Sequence, residues 1–355
     1  ESMGAFYDGQ FTGTIGLAGS FSFFFSHHIQ TMEGGMVLCQ NIDDAHYLRS
    51  MRAHGWVRDL PANSPLVFVG HWFGGSAQDM MNSCDFNTLA DQNDFAVCYP
   101  QGTTDSWGDI FWNIGYDFHQ GVNVDDVGFL VSLAQHLQST YNLSTTNTFF
   151  TGMSNGGEMC YLLACEAGNT FRAVAPVAGG LWLNYINQNG CNPVTPIPVF
   201  VKHGTNDNVT WYTGDLTNSN GYWGAYLSVD SIINMFVSQN SLSDLTIDTL
   251  PNINNNQRIT VAYKYSSPST YKEVWLYKYI NGGHNWGADD WDVEDEIWSF
   301  FNQMISQSTN VSEFKQNKEI VKMIDILGRE TSIKENTPII YIYSDGSVEK
   351  KIFLD

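Results

Sequence analysis

Apolar and polar positions fall along this chain in blocks of two lengths. Short apolar runs occupy residues 66–69, 148–151 and 196–202, and a run at 273–280 alternates with period two. Runs of this length, bounded by Gly, Pro and Asn, read as core strands. Longer stretches between them have helical character. Residues 158–167 form one; Val124-Asp125-Asp126-Val127 opens another, with Asn123 or Asp125 as its cap. Asp289, Asp290, Asp292, Glu294, Asp295 and Glu296 precede a third, running to Phe301, where carboxylates favour the amino end. Calcium is the other reading of that acidic run, but EF-hand spacing is lacking. Strands alternating with helices predict an α/β fold with a mostly parallel central sheet flanked by helices. The pattern changes after a polar, Asn/Ser/Gln-rich stretch at 306–318. Apolar runs at 320–330, 338–343 and 348–353 surround Ser344-Asp345-Gly346-Ser347, which reads as a β-hairpin in a small C-terminal β module.

Composition narrows the class. A chain of 355 residues holds one large domain with appendages, and 43% hydrophobic residues can fill its core. A net charge of −21 argues against nucleic acid as a partner, because like charges repel. Charged residues make up only 15%, and Asn, Gly, Ser and Thr are abundant, a balance that suits an extracellular hydrolase. No run of eighteen apolar residues occurs, so no membrane span is expected. The six cysteines contain no C-x-x-C pair, so zinc is not expected. One or two disulfides are open, Cys165–Cys191 first and Cys84–Cys98 second. Buried free thiols are the alternative, above all for Cys160.

The candidate chemistry starts at Gly152-Met153-Ser154-Asn155-Gly156, between an apolar run and a helical stretch. A G-x-S-x-G at a strand-to-helix joint is the nucleophile elbow of α/β-hydrolases, a tight turn that lifts the serine hydroxyl clear of the sheet. An acid is expected past a later strand. The run at 196–202 leads into His203-Gly204-Thr205-Asn206-Asp207, which makes Asp207 the candidate; Asp215 competes from a polar loop further on. The strand at 273–280 ends at Asn281-Gly282-Gly283-His284-Asn285-Trp286, where His284 on a Gly-rich loop suits a general base. The order Ser, Asp, His is that of the α/β-hydrolases. His71 and His203 end strands and are expected to brace loops; His54, His119 and His136 show no constellation.

From about residue 65 to 303 the chain resembles the polyhydroxybutyrate-depolymerase-like esterases, which include feruloyl and acetylxylan esterases. Leu66-Val67-Phe68-Val69, Gly75-Ser76-Ala77-Gln78-Asp79-Met80, Tyr99-Pro100-Gln101-Gly102 and Val124-Asp125-Asp126-Val127-Gly128-Phe129 carry the likeness. So do the elbow, Ala173-Val174-Ala175-Pro176-Val177-Ala178-Gly179, and the Asp207 and His284 motifs. The resemblance implies serine ester hydrolysis through Ser154, Asp207 and His284, with no metal or organic cofactor. It also implies an oxyanion hole from the backbone N–H groups of Asn155 and Phe73. In Gly70-His71-Trp72-Phe73-Gly74-Gly75, Trp72 stands where the family usually has glycine. Its bulk is expected to turn the Phe73 amide, and losing one such donor costs on the order of a hundred- to a thousand-fold in rate. Trp72, Trp107, Trp112, Trp211 and Trp286, with Tyr116 and Tyr212, fall near the expected strand ends. They are candidates to line a groove for a phenolic ring, sugar or polyester; ordinary aromatic packing is the alternative.

The two ends differ from this body. Residues 1–62, through Gly19-Ser20-Phe21-Ser22-Phe23, Ser26-His27-His28, Glu33-Gly34-Gly35-Met36 and Arg52-Ala53-His54-Gly55-Trp56, resemble part of the pyridoxal-phosphate sugar aminotransferase and dehydratase family. His27 falls where that family has its Schiff-base lysine, as in the sugar 3-dehydratase branch. The likeness covers a small part of that family's length, and cofactor binding is not expected. The chain starts at Glu1 with no signal peptide and reads as a fused or incomplete frame, joined near 60–64. The two strands that ordinarily precede the first core strand of such a sheet are not recognisable. The esterase domain is expected over 63–305, a linker over 306–318, and a tail over 319–355. That tail resembles the type IX secretion sorting tails of Bacteroidetes proteins; a small accessory β module is the alternative. Three functional readings result. The first is a secreted serine esterase acting on polysaccharide or polyester esters. The second is a catalytically impaired hydrolase-fold protein that binds glycan or polymer. The third is a fragment of a pyridoxal-phosphate sugar-modifying enzyme.

Overall fold

The computed structural model describes residues 60–305 apart from 220 and 222. Outside that span it describes positions 329 and 331 and the short strands named below. The chain divides into two compact units, Glu1–Met304 and Ile305–Asp355.

The first unit is built on eight strands: β1 (Leu66–Gly70), β2 (Ala96–Cys98), β3 (Thr148–Met153), β4 (Ala173–Val177), β5 (Val199–Gly204), β6 (Asp244–Thr249), β7 (Ile259–Ser267) and β8 (Thr270–Ile280). They lie in the order β6-β7-β8-β5-β4-β3-β1-β2. Neighbours from β8 to β2 are parallel, and β7 runs antiparallel to both β6 and β8. The expected α/β class with a mostly parallel sheet is therefore what the chain adopts. Every residue of β1, β4 and β5 is buried, as continuous apolar runs covered on both faces must be. β6, by contrast, is exposed along its whole length.

Seven helices accompany the sheet among the described residues: α1 (Ala77–Ser83), α2 (Phe86–Asn93), α3 (Asp126–Tyr141), α4 (Asn155–Glu166), α5 (Leu183–Asn189), α6 (Val229–Gln239) and α7 (Val293–Met304). Their starts follow capping chemistry. Ser76 and Asp79 cap α1 reciprocally, and Asp125, rather than Asn123, caps α3 by accepting from Gly128 N–H at 2.8 Å. In the acidic run before α7, Asp292 accepts from the Glu294 and Asp295 amides, the role expected of a carboxylate there. No helix among the described residues is long and apolar enough to cross a membrane.

At β2 the sheet ends among the described residues, and no strand earlier in the chain joins it. The strands Phe6–Tyr7 and Gln10–Phe11 pair with each other, as do Ala18–Ser22 and Gly35–Cys39. Beside β2 lies an apolar groove of about 880 Å³ lined by Leu60, Leu66, Phe95, Val97 and Leu143 among others.

Cys165, at the end of α4, is bonded to Cys191 after α5. Cys84 and Cys98 are not joined, contrary to the second expected pairing. Both are free thiols, and burial pushes each pKa up to about 11. Cys160 is a buried free thiol, and the side chain of Cys39 lies outside the described residues. In the second unit Ile320–Ile324, Ile339–Tyr343 and Val348–Lys351 form a three-stranded antiparallel sheet. The expected hairpin pairs Ile342 with Val348; its turn at 344–347 lies outside the described residues.

Candidate active site

Ser154 sits between β3 and α4 with φ 54° and ψ −117°. That is a sparsely populated conformation for an L-residue, costing on the order of 1–3 kcal/mol. Its amide donates to Val177 O at the end of β4 (2.9 Å), and its carbonyl accepts from Glu158 N–H (2.8 Å). The turn is so tight that flanking side chains have no room. A Cβ on Gly152 would lie 2.6 Å from the Gly156 carbonyl carbon, and one on Gly156 would lie 2.4 Å from Gly70 O. The glycines of the elbow thus let β1, β3 and α4 meet. Eleven of the twelve α4 residues are buried, which anchors the strained joint from its far side.

Asp207 lies just beyond β5 and His284 just beyond β8, the strand next to it. Because β3, β4, β5 and β8 are parallel, all three side chains share one edge of the sheet. β3 and β5 are two strands apart, about 10 Å. The Asp207 carboxylate does two jobs. Oδ1 accepts from the amides of Val209 (2.9 Å) and Thr210 (2.8 Å), closing its own turn. Oδ2 stands 2.8 Å from His284 Nδ1. Asp207 is buried and His284 keeps 14% of its side chain exposed, so the pair sits at the rim of the interior with Nε2 as the nitrogen left for proton transfer. The Ser154 hydroxyl makes no side-chain hydrogen bond among the described residues. Asp215, the competing acid, closes its own loop by accepting from Thr217 and Ser219.

The loops carrying Asp207 and His284 are zipped together. Thr205 N–H donates to Tyr279 O (2.9 Å) and Asn206 N–H to Gly282 O (2.8 Å). The contact requires glycine at 204, where a Cβ would fall 2.3 Å from Gly282 O. His203 braces the same region by a 2.7 Å bond from Nε2 to Thr210 O.

His71 plays the equivalent part for the loop after β1. Gly102 N–H donates to its Nε2 (2.9 Å), so the ring proton is on Nδ1 and donates to Trp72 O (2.9 Å). Burial lowers its pKa, which keeps this neutral form. Trp72 is half-buried and is absent from the positive-φ residues of the described chain, so the backbone there does not demand a glycine. The Phe73 amide, in the turn that follows, donates to no group among the described residues. The Asn155 amide opens α4, where N–H groups lack intrahelical partners. Its side chain grips the Trp112 backbone from both sides, accepting from N–H (2.7 Å) and donating to O (3.0 Å).

The tryptophans separate by burial. Trp112 is fully buried, stacked on His71 at 4.9 Å, and donates its indole N–H to His71 O. Trp286 is buried, and its indole N–H donates to Glu294 Oε1 (2.7 Å). Neither ring can face a groove; both serve packing. Tyr116 and Tyr212 are likewise buried. Trp107 is 66% exposed, and Trp72 and Trp211 are half-buried. Trp223, which sequence reasoning missed, is half-buried with its ring 5.3 Å from that of Phe73. Also missed was the buried His119–Asp105 pair at 3.0 Å. A second cavity, about 540 Å³ and polar, lies by α3 and α5; like the groove at β2 it is lined by none of Ser154, Asp207 and His284.

Two buried charges next to the site were also missed. Glu158 on α4 accepts from Tyr116 OH, and burial raises its pKa to about 7. A folded pKa above the unfolded one near 4.5 stabilises the fold below pH 4.5, and that contribution is lost as pH rises through about 7. Relative to Glu158→Gln, the wild type is expected to lose on the order of 3 kcal/mol between those limits. Urea unfolding of both proteins at pH 4.5 and 8 measures this; parallel profiles would refute it. Lys202, the second charge, lies in β5 with its Nζ against the loop after His284. Burial pulls its pKa down to about 7 while Asp207 and Asp289 pull it back up.

Residues 60–187 match the sequence profile of the family described as Esterase PHB depolymerase. Residues 1–70 match the DegT/DnrJ/EryC1/StrS aminotransferase family. A probable feruloyl esterase C of Aspergillus niger is 25% identical over 254 residues, 68% of this chain and 80% of that protein. A bifunctional acetylxylan esterase/xylanase of Neocallimastix patriciarum is 30% identical over 43% of this chain and 21% of that enzyme. At the other end, a GDP-4-keto-6-deoxy-D-mannose 3-dehydratase of Escherichia coli O55:H7 is 48% identical over 69 residues, 19% of this chain and 18% of that enzyme. The chain thus spans about a fifth or less of the dehydratase and of the bifunctional enzyme.

Proposed function

We propose that residues 63–305 form a serine carboxylic-ester hydrolase domain acting through Ser154, His284 and Asp207. One observation carries this reading. A strained serine at the mouth of β3 shares a sheet edge with an Asp–His pair whose free nitrogen is Nε2. Ser154 Oγ attacks the ester carbonyl carbon while His284 Nε2 takes its proton. The Asn155 and Phe73 amides receive the oxyanion. His284 then protonates the departing alcohol, and water activated by the same nitrogen hydrolyses the acyl-enzyme. Contact between serine and histidine often tightens only when substrate is bound, so an unpaired Ser154 hydroxyl is compatible with this scheme.

The substrate class follows the likeness to feruloyl and acetylxylan esterases: an aryl or acetyl ester on polysaccharide, with short hydroxyalkanoate polyesters as the competitor. In this reading Trp72, Trp107, Trp211 and Trp223, none of them fully buried, are the candidates to line its groove. The Cys165–Cys191 bond favours an oxidising, extracellular setting. In the same reading residues 1–62 are an aminotransferase-like piece without cofactor, 306–318 a linker, and 319–355 a sorting-type tail for type IX secretion.

The test is a panel of methyl ferulate, acetylated xylan and hydroxybutyrate oligomers, run beside labelling by a fluorophosphonate. Turnover of one ester class with label on Ser154 is expected. A second reading, a glycan-binding protein without activity, draws on Trp72 at the family's glycine position. It takes over if the probe leaves Ser154 unlabelled and no ester is cleaved.

A further inference from the structure

An ammonium group at the centre of an apolar strand needs a reason. Lys202 is the fourth residue of β5, flanked by Phe200, Val201 and His203, and its side chain is wholly buried. Taking an ammonium out of water costs several kcal/mol unless its N–H groups find acceptors. Here they find four, all from one short segment of the β8–α7 loop. Nζ stands 2.7 Å from Asn285 O, 3.1 Å from Asn285 Oδ1, 3.1 Å from Trp286 O and 2.9 Å from Gly287 O. The Tyr279 ring covers the group at 5.3 Å. Three successive carbonyls can point at a single nitrogen only if the backbone curls around it. The cation therefore dictates the path of residues 285–287, and His284 is the residue immediately before them.

We infer that Lys202 is a positioning residue for His284, holding the backbone of its loop while Asp207 holds its ring. This rests on the proposal that His284 is the general base. The division of labour is physical. The Asp207 bond fixes the rotation and tautomer of the imidazole. A single hydrogen bond does not fix where the ring lies along the sheet edge. That distance to Ser154 is set by where the chain turns after β8, and the buried ammonium clamps that turn. Misplacing a catalytic group by about 1 Å costs about a hundredfold in rate.

Lys202→Met, which keeps length and removes charge and donors, tests this. In the full chain we expect kcat for p-nitrophenyl acetate to fall about a hundredfold with KM within about threefold. The low-field proton resonance of His284 Nδ1–H should broaden or shift, and amides 281–287 should exchange faster than those of β3 and β4. If the methionine variant does not fold, Lys202→Gln, which retains two N–H donors, carries the same comparison. A folded variant with wild-type kcat and an unmoved His284 resonance overturns the inference. The resonance and exchange measurements need no turnover. They judge Lys202 even if Ser154→Ala leaves ester cleavage intact and so ends the esterase reading by itself.

Discussion

Ser154→Ala is expected to lower kcat for p-nitrophenyl acetate by about 10⁵- to 10⁶-fold, with KM nearly unchanged. In the proposed mechanism the hydroxyl is the attacking atom, and alanine has nothing to put in its place. Alanine retains a Cβ, so the backbone at φ 54° stays under the same strain, and the melting temperature should hardly move. The residual rate over water would come from the Asn155 and Phe73 amides and from substrate binding, about 10³- to 10⁴-fold. Retention of more than a tenth of wild-type kcat would mean that Ser154 is an ordinary turn residue.

Asp207→Asn should cost about 10⁴-fold in kcat for a different reason. Asparagine can still present Oδ1 to the Val209 and Thr210 amides, so the turn after β5 survives. The atom facing His284 Nδ1 becomes an amide NH₂. Two donors cannot share that bond, and the imidazole must place its proton on Nε2, the nitrogen that the proposed mechanism needs free to accept one from Ser154. Loss of rate without loss of fold, read by kcat at pH 7 beside circular dichroism, is the expected signature. A variant within tenfold of wild type would show that Asp207 only shapes the loop.

Legibility in the sequence follows the range of the forces involved. The elbow was readable because its demands are local: a positive φ at Ser154 and glycines where β1, β3 and α4 touch. The placements of Asp207 and His284 just past strands also hold, since parallel strands bring their ends to one edge. Capping was partly legible for the same reason: Asn123 and Asp125 were both open before α3, and the acidic run at 289–296 was expected at the amino end of α7, where the structure selects Asp125 and Asp292. The tryptophans were not. Trp112 and Trp286 lie in loops that read like Trp107, yet they fill the interior, and no spacing rule distinguishes them. Cys84 and Cys98 matched each other only in proximity along the chain.

The amino-acid order alone determined which strands are buried, where the strained serine turn sits, and which Asp and His lie just past the later strands as its candidate partners, because steric and periodic rules act over a few positions. The tertiary structure decided how the site is held. Lys202 looked like the end of an apolar run until four oxygens contributed by residues 285–287 converged on it. Glu158 looked like an ordinary helical residue until Tyr116, 42 positions earlier, closed over it. A buried charge is tolerable only through partners that folding brings from far along the chain, and no local pattern announces where those partners will come from.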